Sequence, residues 1–309
     1  MAWKFAKNRK AATKRTDIYQ TITDDIIALL EAGTRPWSPS WSNSTGVPLR
    51  HCGTPYKGIN ILLLWAQAAR RGYANPYWMT YKQALELGAI VREGEKGAAI
   101  VFAGSRPLKD ENGQAVQIDG EGERQIPFLR RYHVFNAEQI DGLPEGRFPV
   151  PERIFTNRDA RDPMLDEAFA AYGVAIREQG NDAYYSSESD CITIPPFDSF
   201  TSGNAFYATL AHEAIHGTGH RTRLDRETLH KYHDQVAIRA KEELIAEIGA
   251  AYLCAALGME PTEREDHAAY VSYWLAALKN DKRAIFNAAS AAQSASDFFL
   301  AQTAQRIAA

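Results

Sequence analysis

The sequence predicts an α+β protein of two domains, the first mixing helices and strands and the second mainly helical with a small sheet. Helical and β-type hydrophobic patterns alternate in the first half, whereas the second half begins with short strands and continues in long helices. The stretch LPEGRFPVPERI between them is dense in proline and glycine. We therefore divide the 309-residue chain into a basic tail (1–15), a first domain (16–142), a linker (143–154) and a second domain (155–309).

In the first domain, a helix is expected directly after the basic tail, with Thr16 as its N-cap and Gly33 as its stop. A loop rich in Pro, Gly and Ser follows, and then a helix at roughly 58–71 and a short helix from Thr80 to about Leu87. The segments AAIVFAG and PFLRRYHVF are predicted strands, joined by a polar hairpin loop or insertion.

In the second domain, DPMLDEAFAAYG is typical of a helix, and AYYSSESDCITIP predicts two short strands around a turn. Four helices are expected after these strands, at about 204–218, 236–257, 265–279 and 281–306. The second half is therefore expected to be a small sheet followed by a helical bundle.

The charge distribution is uneven along the chain, although the net charge is only −3. Residues 1–110 contain 16 Lys and Arg against 8 Asp and Glu, a net of +8, and residues 111–309 contain the remaining 19 and 30, a net of −11. Such a division indicates two modules with different partners. The alternative, a basic tail on an ordinary acidic protein, explains only part of the excess, because further basic residues lie beyond the tail.

The composition argues against a membrane or secreted protein. No apolar run approaches the roughly 20 residues that span a bilayer, and the basic N-terminus lacks the apolar segment of a secretory signal. The 3 cysteines are odd in number and far apart, which favours a reducing compartment and no disulfide framework. We expect a cytoplasmic protein without a membrane partner; its oligomeric state is left open.

The segment HEAIHGTGH (212–220) is the strongest functional signal. On an α-helix, His212 and His216 lie four residues apart and project from one face toward one point. Imidazole is a good ligand for zinc and similar metals, and Glu213 has the position of the general base in HExxH hydrolases. The motif predicts a metal-dependent hydrolase with Glu213 as its catalytic base.

A third metal ligand is expected downstream, because a catalytic site supplies three protein ligands and keeps one position for water. The helix AKEELIAEIGAAYL offers Glu243 and Glu247 on one face, whereas Glu242 lies about 100° away and is expected to face solvent. We assign Glu243 as the third ligand and Glu247 as the carboxylate that orients a histidine. The alternative is two solvated glutamates on a surface helix.

His220 is the other candidate for the third ligand, since it follows His216 by four residues. Gly217 and Gly219 are expected to end the helix before it. His220 is therefore predicted to lie beside the metal as a cap or pocket residue that contacts substrate or a carboxylate.

The predicted strand pair at 183–195 is a second element near the motif. An edge strand can hold an extended peptide by backbone pairing, and the phenols of Tyr184 and Tyr185 could stabilise an oxyanion. The alternative is an aromatic strand that packs on the helices.

Several blocks of the sequence resemble one protein family. The second half, through YYSSESDCITIP, FYATLAHEAIHGTGHRTRLDR and AKEELIAEIGAAYLCAALG, is similar to the zincin-like, gluzincin-type metallopeptidase domain of ArdC-type antirestriction proteins. The first half, through EAGTRPWSPSW, TPYKGINILLL and RGYANPYWMTYKQALELGAIVREGEKGAAIVF, is similar to their N-terminal domain and to that of TraC-type conjugative primases. The resemblance implies single-stranded DNA as a partner, protection of incoming mobile-element DNA from host restriction during conjugation, and Zn²⁺ or another divalent metal such as Mn²⁺ as cofactor.

Single-strand binding requires a basic groove with aromatic faces on which bases stack. Residues 35–96 interleave such side chains, and the candidates are Arg35, Trp37, Trp41, Arg50, Tyr56, Lys57, Tyr73, Trp78, Lys82, Arg92 and Lys96. The alternative for each tryptophan is core packing in a small domain. A phosphate-binding groove also predicts an affinity that falls steeply with salt.

The sequence therefore predicts a protein that binds single-stranded DNA and carries a metallopeptidase site of the HExxH type, with a host restriction protein as a candidate substrate or target. A second hypothesis is a DNA-binding protein whose metal site is structural or vestigial, and which protects by coating DNA or blocking the restriction enzyme. A metal-dependent nuclease is a weaker hypothesis, because such enzymes cluster more carboxylates around hard cations.

Overall fold

The computed structural model describes residues 17–37, 46–111, 114–118, 122–150, 160–259 and 270–307. The basic tail, Trp41 and the end of the predicted linker lie outside these residues. No helix within the described ranges has the length and apolar character needed to span a membrane. All three cysteines are free thiols.

The N-terminal region mixes short helices with a long β-hairpin. Its helices are α1 (Ile18–Glu31), α2 (Ile59–Arg71) and α3 (Tyr81–Glu86). Its strands are β1 (Leu49–Arg50), β2 (Tyr77–Met79), β3 (Ile90–Val91), β4 (Ala98–Pro107), β5 (Gln117–Ile118), β6 (Gly122–Glu123), β7 (Gln125–Asn136) and β8 (Ile140–Asp141). Helix α1 begins one residue later than expected, because the carboxylate of Asp17 caps it by accepting the Gln20 backbone N–H.

The main sheet of this region has the strand order β1-β2-β7-β4. Strands β1 and β2 are parallel, whereas β7 pairs antiparallel with β2 and with β4. The β4–β7 ladder runs from the Ala98–Val134 pair to the Pro107–Gln125 pair, so both strands extend beyond the segments expected from the sequence. Strand β4 is an edge of the sheet.

The C-terminal region begins with α4 (Pro163–Tyr172) and the strands β9 (Ala175–Glu178), β10 (Tyr184–Ser186) and β11 (Cys191–Ile194). These strands form a sheet in the order β10-β11-β9, with β10 antiparallel and β9 parallel to β11. The helices α5 (Gly203–Thr218), α6 (Glu227–His230), α7 (Val236–Ala256), α8 (Val271–Asn280) and α9 (Ala284–Ile307) follow. The α+β class and the succession of sheet and helices are as predicted.

The helices of the C-terminal region complete the hydrophobic core of the N-terminal region. Apolar side chains of α1, α2 and the main sheet share one cluster with residues of α7, α8 and α9. The rings of Trp37 and Trp274 lie edge to face with centroids 5.7 Å apart. The hydroxyl of Tyr252 donates to the carbonyl of Gly58 across the same boundary at 2.9 Å. One hydrophobic cluster therefore contains residues from both sides of the predicted linker.

Candidate functional site

Helix α5 holds the HExxH motif at the centre of the C-terminal region. The hydroxyl of Ser202 caps the helix by accepting the Ala205 N–H at 3.1 Å, and Gly219 follows its last residue. Small and apolar residues flank the motif, and nearly every side chain of the helix is buried. His212 and His216 therefore project into the protein interior, where an imidazole needs polar partners.

Helix α7 supplies those partners because it packs closely against α5. A Cβ atom at Gly249 would lie 2.8 Å from Cγ2 of Ile215, so glycine at this position permits the close approach. The carboxylate of Glu243 then reaches both histidines. The close approach of the helices thus follows from a small residue at their contact, Gly249, in the alanine-rich sequence of α7.

Three side chains of α5 and α7 converge on one buried point. Nε2 of His212 lies 3.1 Å from Nε2 of His216, and each lies close to the Glu243 carboxylate, at 3.4 Å and 3.6 Å. Two imidazole nitrogens and a carboxylate oxygen, with ligand atoms all within 4.8 Å of one another, form a donor set that fits a divalent metal ion. Within the ranges the structure describes, these three side chains form a group that could hold a metal ion.

The pKa of Glu243 lies well below its usual range. Burial acts to raise it, but the stronger combined effect of His212, His216 and Tyr232 favours the ionised carboxylate. Ionised carboxylate is the form that binds a metal.

Glu242 does not face solvent, so that prediction is wrong. Its side chain is fully buried, with Oε1 3.2 Å from Nδ1 of His216. Arg226 donates to both carboxylate oxygens, at 2.6 and 3.2 Å, and Thr228 donates a further hydrogen bond. Burial raises the pKa of Glu242, but Arg226 and His216 outweigh it and hold the value at about 2. The segment before α6 covers this face of α7, which helical periodicity alone could not reveal.

Glu247 on α7 and Glu213 on α5 are both buried. Oε1 of Glu247 is 3.5 Å from Nδ1 of His212, which supports its expected part in orienting that histidine. Glu213 is 4% exposed and follows His212 directly on α5. The arrangement therefore keeps the expected general base in the interior, next to one of the three converging side chains.

His220 is not one of the three converging ligands. It lies beyond the end of α5, is 8% exposed, and its Nδ1 is 2.8 Å from the hydroxyl of Thr222. The helix ends at Thr218, as its glycines predicted, so the spacing of His220 no longer directs it toward the other two histidines.

Tyr185 uses its hydroxyl away from the cluster. That hydroxyl donates to Asp190 at 2.6 Å and accepts from Arg223 at 3.1 Å, and Tyr184 is 50% exposed on β10. A different phenol reaches the site: Tyr232, between α6 and α7, donates to Oε1 of Glu243, and its ring centroid lies 6.0 Å from that of His216. Tyr232 was not singled out from the sequence, because a tyrosine in a loop carries no spacing signal.

The candidate DNA-binding residues divide into buried and exposed sets. Trp37, Trp78 and Tyr56 are only 0%, 1% and 6% exposed. These rings pack in the core, so the prediction that bases stack on them is wrong. Tyr73 is partly buried with its ring edge to face on Trp78, and Arg35 is partly buried. The remaining basic candidates are exposed at the surface, namely Arg50, Lys57, Lys82, Arg92 and Lys96.

Some of these exposed cations already have acidic neighbours. Lys57 pairs with Asp297 at 3.0 Å, and Lys82 with Glu86 at 3.5 Å. Arg92 lies 3.1 Å from Glu95 and 3.2 Å from Asp141. Exposed ion pairs of this kind are weak, so the cation can leave its carboxylate and bind a phosphate with little loss of stability.

Family models match both regions of the chain. Residues 16–135 match the N-terminal domain of anti-restriction factor ArdC, and residues 163–291 match a zincin-like metallopeptidase domain. The second match includes the converging histidines and glutamate. The two models together agree with the domain order expected from the sequence.

Two solved structures of the antirestriction protein ArdC from plasmid R388 are similar to this chain. The metal-free structure has a TM-score of 0.82 and 47% identity, over 94% of this chain and 98% of that one. The Mn(II)-bound structure has a TM-score of 0.78 and 46% identity, over 93% and 98%.

Curated relatives extend the similarity. The uncharacterised protein y4eC of Sinorhizobium fredii is 38% identical over 292 residues, 93% of this chain and 92% of that protein. DNA primase TraC of Escherichia coli is 38% identical over 307 residues, but the chain spans only 28% of that primase's length.

Proposed function

Since the chain belongs to the ArdC family of antirestriction proteins, we propose that it protects incoming DNA of a mobile element from host restriction during conjugation. In this proposal its N-terminal region binds single-stranded DNA and its C-terminal region is a metal-dependent peptidase. The observation that carries the proposal is the buried convergence of His212, His216 and Glu243 beside Glu213. A purely structural zinc site would close with four protein ligands, whereas the group found among the described residues has three.

Three residues would hold the metal cofactor. Nε2 of His212, Nε2 of His216 and the Glu243 carboxylate would bind Zn²⁺ or Mn²⁺, which would supply Lewis-acid polarisation of a peptide carbonyl. The R388 relative with bound Mn(II) supports a divalent ion of this kind.

The remaining chemistry belongs to the chain's own side chains. Glu213 would take a proton from the attacking water and return it to the leaving amine. Glu242 and Glu247 would hold the two imidazoles in the orientation that points Nε2 at the common centre. Burial of the whole group would keep bulk water from competing with the substrate carbonyl.

Replacing Glu213 by Gln tests the proposal. The variant should retain metal, measured by elemental analysis of the purified protein, and lose cleavage of fluorogenic peptides, because the amide cannot accept a proton. It should also lower conjugal transfer into a restricting recipient but not into a restriction-deficient one. Glu167→Gln, which alters an exposed glutamate of α4, is the matched control and should behave as wild type.

Two outcomes would contradict parts of this function. Full peptide cleavage by Glu213→Gln would exclude Glu213 as the base. Full protection in the mating assay by a variant that no longer cleaves peptides would show that protection does not need proteolysis. Coating of the strand, or blocking of a restriction enzyme, would then be the function, with the metal site structural or vestigial.

A further inference from the structure

A surface cavity lies in the N-terminal region, away from the cluster on α5 and α7. Its volume is about 240 Å³, and its lining includes Arg50, His51, Asn60, Phe102 and Tyr132. This is smaller than the roughly 300 Å³ at which pockets for drug-sized ligands begin. The cavity therefore suits one small planar group rather than a larger molecule.

Exposed aromatic rings form one wall of the cavity. Phe102 is 52% and Tyr132 41% exposed, and their ring centroids lie 6.3 Å apart. Both project from the same face of the β4–β7 ladder, because Ile100 is paired with Tyr132 and Phe102 with Arg130. Unlike the buried tryptophans, these rings offer faces to a ligand.

A glycine makes room for the aromatic wall. Gly104 is paired with Phe128, whose ring centroid lies 6.1 Å from that of Phe102. A Cβ atom at Gly104 would come within 2.8 Å of Cζ of Phe128 and 3.0 Å of Cε1 of Phe102. Because Gly104 has no side chain, both rings can lie across β4 and extend the aromatic surface to the hairpin.

The charge around the rings is positive. The face of the β4–β7 ladder that carries the rings also carries Arg106 and Arg130, and neither of these described strands has an acidic residue. The Arg130 guanidinium lies 5.1 Å from the Phe128 ring centroid, and Arg50 lies at the cavity itself. Among the residues described, neither Arg50 nor Arg130 is within ion-pair distance of a carboxylate. Their charges remain available for an anionic ligand.

Two polar side chains of the cavity lining, Asn60 and His51, differ in their hydrogen bonding. Asn60 bonds both backbone groups of Val101, each at 2.8 Å, and so fixes the edge strand β4 against α2. Nδ1 of His51 is buried and has no hydrogen-bond partner within the described ranges. A buried ring nitrogen without a partner is costly unless a ligand supplies one.

We infer that this cavity binds a single unpaired nucleobase of a DNA strand, an inference that rests on the proposed single-strand binding. The base stacks on Phe102 and Tyr132, its polar edge meets His51, and the flanking phosphates lie against Arg50 and Arg130. Only an unpaired base can enter, since in a duplex both faces of each base are covered by its neighbours. The cavity thus selects single strands by stacking, independently of sequence.

The test measures binding of the full-length protein to fluorescein-labelled oligo(dT) by anisotropy. Phe102→Ala with Tyr132→Ala should weaken binding about tenfold or more, because the base loses both aromatic rings on which it stacks. An abasic oligonucleotide of equal length should bind wild type as weakly as oligo(dT) binds the double variant. Phe102→Tyr with Tyr132→Phe keeps both rings and should restore affinity.

Tyr273→Ala is the matched control, because this tyrosine is 47% exposed on α8, outside the cavity lining. Photocrosslinking with 5-iododeoxyuridine in the strand, followed by mass spectrometry, should locate the adduct at Phe102 or Tyr132. If wild type binds oligo(dT) and the double variant binds it equally, the cavity is not the base site, although single-strand binding stands. If wild type binds no single strand, both the proposed DNA binding and this inference are wrong.

Discussion

Glu242 accepts a hydrogen bond from Nδ1–H of His216 across 3.2 Å in a fully buried setting. An ionised carboxylate can only accept, so the histidine must be the donor at Nδ1, and in a neutral imidazole this arrangement leaves the lone pair on Nε2. Arg226 and Thr228 hold the carboxylate from the other side. Glu242, which is not one of the three converging side chains, thereby fixes the orientation of a candidate metal ligand.

Replacing Glu242 by Gln should weaken metal binding. The amide can turn its NH₂ toward His216 and favour the wrong tautomer, and loss of such a partner typically lowers metal affinity about 10–100-fold. The dissociation constant for Zn²⁺, measured by calorimetric or competitive titration, checks this outcome. Glu227→Gln, which alters an exposed glutamate of α6, is the control. Unchanged affinity in a folded Glu242→Gln protein would show that the carboxylate does not orient the ligand.

Metal binding should raise the thermal stability of the protein. A ligand that binds only the folded state stabilises it by about 2.7 kcal/mol at a free concentration of about 100 Kd. Scanning calorimetry of chelator-treated protein with and without added Zn²⁺ or Mn²⁺ measures the shift in Tm. Glu243→Ala should abolish the shift, because it removes one of the three converging ligands. An equal shift in that variant would mean that the metal binds elsewhere.

Local periodicity predicted the three converging side chains and the neighbouring carboxylate of Glu247, but it misplaced Glu242. The spacing of His212 and His216 on one helix, and a carboxylate on an apolar helix, were sufficient to anticipate the cluster with Glu243. Glu242 was misjudged because its burial depends on the segment containing Arg226, which lies 16 residues earlier and folds back onto α7. Tertiary contacts of this kind leave no periodic signal.

The aromatic residues show the same division between local and tertiary information. Trp37 and Trp78 lie in basic, loop-rich sequence, yet both fill the core that α7–α9 complete. Phe102 and Tyr132 occur in ordinary strand patterns, and only their pairing across β4 and β7 shows that they share an exposed face. Exposure of a ring depends on what packs against it, which a single segment cannot specify.

Asp190 should contribute pH-dependent stability through Arg223. Burial acts to raise the pKa of Asp190, but hydrogen bonds from Arg223 and Tyr185 outweigh it and hold the pKa below its ordinary value. In the unfolded chain, the carboxylate of Asp190 therefore binds a proton more readily than it does in the folded protein. The contribution is present above the unfolded pKa of about 3.9 and disappears as pH falls through the lower folded value.

Asp190→Asn should accordingly destabilise the protein by about 1 kcal/mol at neutral pH, a modest value because this carboxylate is 39% exposed. Asparagine tolerates the positive φ of 47° at this position, so the backbone is kept. Urea unfolding at neutral pH and near pH 3 measures the difference, which should shrink in acid. Asp182→Asn, at an exposed position, is the control. A difference that stays constant with pH would exclude the ion pair as its cause.

Tyr232→Phe should lower turnover while leaving metal binding largely intact. Burial and the adjacent Glu243 raise the pKa of Tyr232, so the phenol stays protonated and its O–H remains a donor at the metal ligands. A hydrogen-bond donor that points at a developing oxyanion raises kcat by a factor of about 10²–10³.

Tyr185→Phe is the matched control for this substitution. It removes an equivalent hydroxyl, but one bonded to Asp190 and Arg223, and should affect stability rather than kcat. Peptide-cleavage kinetics together with metal content separate the two variants. If Tyr185→Phe loses turnover while folded and Tyr232→Phe does not, the oxyanion donor lies on β10. A Tyr232→Phe protein that loses its metal would instead show that the phenol only positions Glu243.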